Sequence, residues 1–198
     1  MRLIGRLIFR PIQHSSQCRM FHYTIVNEEV FSLFVGSFCA DSVTHIFAVA
    51  IARYSVFLLP IVLLFEWFLK SGNRKIICGA CASGLASALL SVPISVGTHV
   101  SRPFAAGLSE IYLSHISNGA FPSTHAALFF GVGVSLLLSE SRPSYVAILV
   151  LLLGMLTSWA RICASLHYPF DIVGSLALAS AVSICTLKLI KSIAWPVK

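Results

Sequence analysis

Charge is scarce in this sequence. Asp, Glu, Lys and Arg make up 11% of its 198 residues, and seven of those residues are acidic. A soluble domain carries about 25% charged residues. So little charge cannot cover a water-facing surface of this size. With 57% hydrophobic residues and a mean hydropathy of +0.88, the excess apolar surface must face lipid. The shortage of acid leaves a formal net charge of +7. The basic residues form no stripe with interleaved aromatics, which excludes a nucleic-acid partner. They sit instead in short clusters between apolar runs, the topology signal of a membrane protein.

Other absences narrow the chemistry. No 20–50-residue repeat and no low-complexity tract stands out. There is no G-x-S-x-G elbow for a Ser-His-Asp hydrolase and no H-E-x-x-H pair for zinc. Gly131-x-Gly133 has no strand before it and lies in an apolar span, so it reads as helix packing rather than a nucleotide loop. The six cysteines, Cys18, Cys39, Cys78, Cys81, Cys163 and Cys185, form no short secreted framework. Cys78-x-x-Cys81 lacks a second pair, which favours packing over a redox or metal role.

What is present is a series of apolar runs. A membrane helix needs about 20 such residues, or fewer inside a bundle. Five candidates occur, over 45–69, 76–100, 125–138, 145–160 and 172–190. The predicted fold is an all-α polytopic membrane bundle of about five transmembrane helices. A short amphipathic helix over 28–41 is expected to lie at the interface ahead of them. Five spans place Lys70, Arg74, Lys75, Arg142, Lys188, Lys191 and Lys198 on one side, which the positive-inside rule makes cytoplasmic. The 101–124 and 161–171 loops then face outward, with Arg102 and Arg161 as their only Lys or Arg.

Residues 1–19 hold Arg2, Arg6, Arg10 and Arg19 with no acid, whereas 20–44 hold Glu28, Glu29 and Asp41 with no Lys or Arg. The division expected is therefore a basic extension over 1–19, with translation starting at Met20 or the extension acting as a targeting segment, and a membrane domain over 20–198.

Three polar clusters fall on the outer side: Ser101-Arg102-Pro103, Phe121-Pro122-Ser123-Thr124-His125, and the run from Arg161 through His167 to Asp171. Ionisable groups at the edge of a bundle are functional candidates. Arg102 and Arg161 offer forked donors for phosphate. Ser123 and Thr124 offer hydroxyls, and the start of the third span offers backbone N–H groups. His125 and His167 exchange protons or attack phosphorus near neutral pH. Asp171, four residues after His167, is placed to reach back to one ring nitrogen. A zinc site at His125, His167 and Asp171 conflicts with two arginines beside it, and a Ser123 triad leaves those arginines unexplained. The whole set favours an anion.

The clusters resemble the three signature motifs of the type 2 phosphatidic acid phosphatase superfamily: Arg102-Pro103, Pro122-Ser123-Thr124-His125, and Arg161-x5-His167-x3-Asp171. The stretches SRPF, NGAFPSTHAA and LHYPFDIVGS, with the entry segment IVNEEVFSLFVG, are most similar to its bacterial undecaprenyl-diphosphatase branch, from about Val26 to about Ile190. The sequence departs from the pattern in three places. Ser95 stands where the first motif has lysine, Thr124 replaces a glycine, and Ala160 replaces the serine before Arg161. Arg53, inside the first span, and His99 are the candidates to supply the lost charge.

The resemblance implies a metal-free, cofactor-free phosphatase. His167 would be the nucleophile of a phosphohistidine intermediate, Asp171 its orienting group and His125 the general acid. Arg102, Arg161, Ser123 and Thr124 would hold the phosphoryl group. The expected substrate is undecaprenyl diphosphate, cleaved to the monophosphate at the outer face of a bacterial cytoplasmic membrane. That recycles the cell-wall lipid carrier and raises bacitracin resistance. The alternatives are another lipid phosphate, such as phosphatidic acid or phosphatidylglycerol phosphate, a non-catalytic lipid-phosphate binder or transporter, and a vanadate-dependent oxidase.

Overall fold

The computed structural model describes residues 15–69, 74–108, 119–139 and 145–192. Described residues outside loops are helical, in seven α-helices: α1 Ser15–Phe38, α2 Ser42–Tyr54, α3 Leu58–Leu69, α4 Arg74–Thr98, α5 Thr124–Ser139, α6 Tyr145–Cys163 and α7 Pro169–Ser192. A 3₁₀ turn over Ser55–Phe57 joins α2 to α3. Together these two helices make one apolar element, Ser42–Phe68, long enough to cross a bilayer. α4, α6 and α7 are also long and apolar enough, so four of the five expected spans meet that length. The fifth, α5, has 16 residues. At 1.5 Å per residue it covers about 24 Å, short of the roughly 30 Å hydrocarbon core.

α5 is short because it is the inner helix, packed against α4, α6 and α7. Its buried residues include Ala126, Ala127, Phe129, Phe130, Val132 and Leu136. Two glycines let its neighbours close in. A Cβ at Gly131 would lie 2.7 Å from Ser87 Oγ and 2.8 Å from Gly84 Cα, so α4 crosses there almost backbone to backbone. A Cβ at Gly133 would meet the Leu151 side chain of α6 at 2.7 Å. The helix-packing reading of Gly131-x-Gly133 therefore holds, with one glycine serving each neighbour.

The α4 face at this crossing consists of small residues. Ser83, Ser87, Ser91 and Ser95 recur every fourth position and are all buried. Their hydroxyls are satisfied locally or across to α5: Ser87 Oγ donates to Ser83 O at 2.7 Å, and Ser91 Oγ meets Thr124 Oγ1 at 2.8 Å. A lone hydroxyl in lipid would be costly; here the serines combine close approach with hydrogen bonding. Outward positions such as Leu85, Leu89, Leu152 and Met155 remain exposed, as lipid-facing residues should.

The N-terminal helix differs from expectation. The interfacial segment foreseen over 28–41 is the C-terminal part of the 24-residue α1, which starts at Ser15 and ends before Cys39. The expected division at Met20 falls inside this helix. Residues 1–14, with Arg2, Arg6 and Arg10, lie outside the described residues, as do Lys70, Arg142 and Lys198. α1 docks on α6 and α7. Phe31 meets Tyr168 edge-on, with ring centroids 5.6 Å apart. Asn27 accepts from the Phe170 N–H at 3.3 Å.

A disulfide joins Cys39, just beyond α1, to Cys163, the last residue of α6. Spacing gave no hint of it, because 124 positions separate the two. Cys78 and Cys81 on α4 are free thiols.

Candidate active site

The three polar clusters converge. The end of α4, the start of α5, the end of α6 and the start of α7 meet at the Cys39–Cys163 end of the bundle. There Val92, Ser95, Arg102, Pro122, Thr124, His125, Arg161 and His167 line a cavity of about 100 Å³. Five of the seven residues expected at the site are in this wall: His125, His167, Arg102, Arg161 and Thr124. Asp171 and Ser123 stand behind it.

The link between α6 and α7 is what brings His167 inward. α6 ends in a Schellman motif: the Leu166 N–H bonds Arg161 O at 3.0 Å and the Ser165 N–H bonds Ile162 O at 2.9 Å. Ser165, at φ 59°, holds the left-handed position that glycine normally fills. The chain reverses at once, so Arg161 and His167, six positions apart, share one pocket. Arg102 secures the turn, donating from Nη1 to Leu166 O at 3.0 Å and from Nη2 to Gly119 O at 3.4 Å.

His167 is 2% exposed, and its two ring nitrogens have distinct environments. Nδ1 lies 2.9 Å from Ala120 O. A carbonyl oxygen only accepts, so Nδ1 carries the hydrogen and Nε2 keeps its lone pair. Nε2 faces two guanidinium groups, Arg102 Nη1 and Arg161 Nη2, each at 3.4 Å. At that length the hydrogen bonds are weak. Burial holds His167 well below the ordinary imidazole value, and the nearby Arg161 and Arg102 charges push it further the same way; the Ala120 bond opposes them. The ring is a neutral base whose free nitrogen points between two cations. Burial also lowers Arg102, against the pull of Asp171, but a guanidinium remains charged.

Asp171 does less of the orienting than its spacing suggests. Its Oδ2 is 3.5 Å from His167 Nδ1, while the same oxygen accepts the Tyr168 N–H at 2.7 Å and caps the start of α7. Ala120 O is the nearer partner of the ring. No side-chain pattern signals a carbonyl, so sequence reading missed it. The one hint is position: Ala120 immediately precedes Phe121-Pro122.

Ser123 sits just behind the cavity wall. It is the N-cap of α5, with its carbonyl accepting the Ala127 N–H at 2.9 Å. Its N–H donates to Ser175 Oγ at 2.8 Å, and that hydroxyl returns a bond to Ser123 O at 3.0 Å. Ser123 Oγ is buried, with no hydrogen-bond partner among the described residues. Thr124, the first residue of α5, brings a second hydroxyl-bearing side chain, beside Ser95, to the cavity wall. The N-terminal end of α5 thus adds its positive dipole to the two arginines.

Ser95, which stands in the lysine position, turns its hydroxyl onto Gly119 O at 2.6 Å. A Cβ on Gly119 would collide with Ser95 O, so that close approach requires glycine. His99 is exposed at the end of α4, with φ 51°, and is not in the cavity wall. Arg161 Nη1 reaches Ala52 O of α2 at 3.5 Å, and its Nε has no partner among the described residues.

Comparison with known proteins agrees with this geometry. The PAP2 superfamily model matches residues 74–195. The undecaprenyl-diphosphatase BcrC of Bacillus subtilis is 27% identical over 155 residues, 78% of this chain and 79% of that protein. The crystal structure of Aquifex aeolicus LpxE superimposes with a TM-score of 0.65 at 20% identity, covering 82% of this chain and 95% of that one. A transmembrane PAP2-type phosphatidylglycerolphosphate phosphatase from Bacillus subtilis gives 0.62 at 15% identity, covering 89% and 96%. At those identities the two structures establish a common fold.

Proposed function

Because the chain belongs to the PAP2 superfamily, we propose that this membrane lipid phosphatase removes the terminal phosphate of undecaprenyl diphosphate, through a phosphohistidine on His167, and so recycles the cell-wall lipid carrier. One observation carries the mechanism. The lone pair of a neutral His167 Nε2 points between Arg102 and Arg161, 3.4 Å from each. A phosphoryl group drawn in by both guanidiniums is delivered to the nucleophile. The substrate assignment rests on similarity to the BcrC protein.

Nε2 attacks the terminal phosphorus, forming an N–P bond as the bridging P–O bond breaks. His125, in the same wall, gives a proton to the departing oxygen of the lipid monophosphate. It then takes a proton from the water that hydrolyses the phosphohistidine, and inorganic phosphate leaves. Arg102, Arg161, Thr124 and the N-terminus of α5 stabilise the equatorial oxygens throughout. The buried, unpartnered Ser123 hydroxyl completes this cradle. Ala120 O holds the tautomer, and Asp171 supports it while fixing the start of α7.

The site faces the outside of a bacterial cytoplasmic membrane. Two independent features support that orientation: a disulfide at the site's end of the bundle, which suits an oxidising compartment, and the basic Arg74, Lys75 and Lys188 toward the other end.

The test is phosphate release by purified protein from undecaprenyl diphosphate, its monophosphate and phosphatidic acid, with and without excess EDTA. The diphosphate should turn over fastest, and EDTA should have no effect. Faster release from phosphatidic acid would reassign the substrate. Release from none would leave a binding protein, and EDTA loss rescued by a divalent ion would require a metal. His125→Ala should lower turnover by about 10²–10⁴-fold.

A further inference from the structure

Arg53 has no place in the mechanism above, yet it is a cation on the apolar Ser42–Phe68 element, exposed on its surface. A charge facing hydrocarbon is expensive and needs a reason. Its position supplies one. The Ala52 carbonyl accepts from Arg161 Nη1 at 3.5 Å. Peptide geometry puts the Arg53 Cα about 3 Å from that oxygen, so the Arg53 backbone adjoins Arg161, a residue of the cavity wall.

Arg53 lies off the buried face of α2. Ala48, Ala52, Ser55 and Leu59 form the buried face, and Arg53 is about 100° round from Ala52. α2 leans on α6, and the cavity reaches Val92 of α4, which is 48% exposed, so it opens toward lipid. The Arg53 guanidinium rests over the adjacent Tyr54 ring at 5.6 Å, with Tyr54 itself exposed. Such a contact is weak and easily exchanged. No acid pairs with Arg53 among the described residues.

We propose that Arg53 binds the second phosphate of the substrate, the one attached to the lipid tail, while the terminal phosphate lies between Arg102 and Arg161. It thereby selects lipid diphosphates over monophosphates. This inference rests on the phosphatase reading. A diphosphate carries more negative charge than a monophosphate, and its inner phosphate must emerge at the lipid-facing mouth, where Ser95 supplies no cation. Arg53 supplies it.

The experiment compares full-length wild type, Arg53→Ala and Arg53→Lys in nanodiscs, using farnesyl diphosphate and farnesyl monophosphate, the latter as substrate or as competitive inhibitor. Arg53→Ala should raise KM for the diphosphate about tenfold or more, with kcat within about twofold. The monophosphate constant should shift less than about twofold, and Arg53→Lys should recover part of the loss. Equal losses on both compounds, or no change on either, would overturn the inference and leave the phosphatase reading standing; the second result would assign Arg53 to lipid headgroups. A wild type active on the monophosphate and inert on the diphosphate would also overturn it. A wild type that releases phosphate from neither would overturn the phosphatase reading and this inference with it.

Discussion

The two ends of the bundle both carry basic residues, under opposite conditions. At one end Arg74, Lys75 and Lys188 are exposed; Arg74 merely rests on Trp67. At the other, Arg102 is 5% exposed and Arg161 3%, with their donors on carbonyl oxygens and on His167. Burying a guanidinium costs several kcal/mol unless geometry and partners repay it. The exposed cations at that first end act on how the chain lies in the membrane and are individually dispensable. Two buried guanidinium groups converging on one cavity are the arrangement that the proposed phosphate site uses. Residue type alone does not distinguish Arg74 from Arg102 and Arg161; burial does.

The contrast can be broken most severely at His167. His167→Asn should abolish phosphate release, by on the order of 10⁴-fold or more, while the protein still inserts. Near-normal turnover would remove the nucleophile from the account. Next comes a paired substitution. Arg161→Ala should lower kcat/KM by about 10²–10³-fold, and Arg74→Ala by less than about twofold. Similar losses from the two would erase the distinction between the ends.

A third substitution concerns what holds the site's end together. Cys39→Ser, or reduction, should cost about 2–4 kcal/mol of stability, read as a lower thermal midpoint in detergent. An unchanged midpoint would mean the bridge adds nothing. The fourth concerns pH. His167 is depressed below the 6.5 of an ordinary imidazole in the folded protein, so below that pH the unfolded chain binds the proton first. Its contribution to stability therefore falls as pH drops from 6.5 toward the folded value. His167→Gln should flatten that part of the pH profile, and an unaltered slope would mean the buried ring is not held neutral. The smallest effect is expected at Ser165. Glycine there should keep activity and change stability by no more than about 1 kcal/mol, toward stabilisation.

Much of this was legible in the chain. Apolar runs marked the spans because lipid imposes continuous hydrophobicity, and the three polar interruptions marked residues that the fold gathers around one cavity, because polar groups in such a chain need a reason. The remainder depended on what sequence does not encode residue by residue. Ala120 acts through its backbone. Cys39 and Cys163 meet only after the helices pack. Ser123 is the N-cap residue of α5 through its carbonyl, while its hydroxyl stays buried and without a partner among the described residues, a distinction between backbone and side chain that the residue type does not carry. α1 extended beyond its amphipathic stretch because a helix begun over 28–38 propagates through the residues before it until something stops it.

The central claim is that His167 Nε2 becomes covalently phosphorylated. Rapid quenching of the enzyme with diphosphate labelled on its terminal phosphorus tests it directly, followed by mapping of the labelled peptide under alkaline conditions. An acid-labile, alkali-stable label is expected on His167, absent from His167→Asn. Turnover without any labelled enzyme, or a label on another residue, would contradict it.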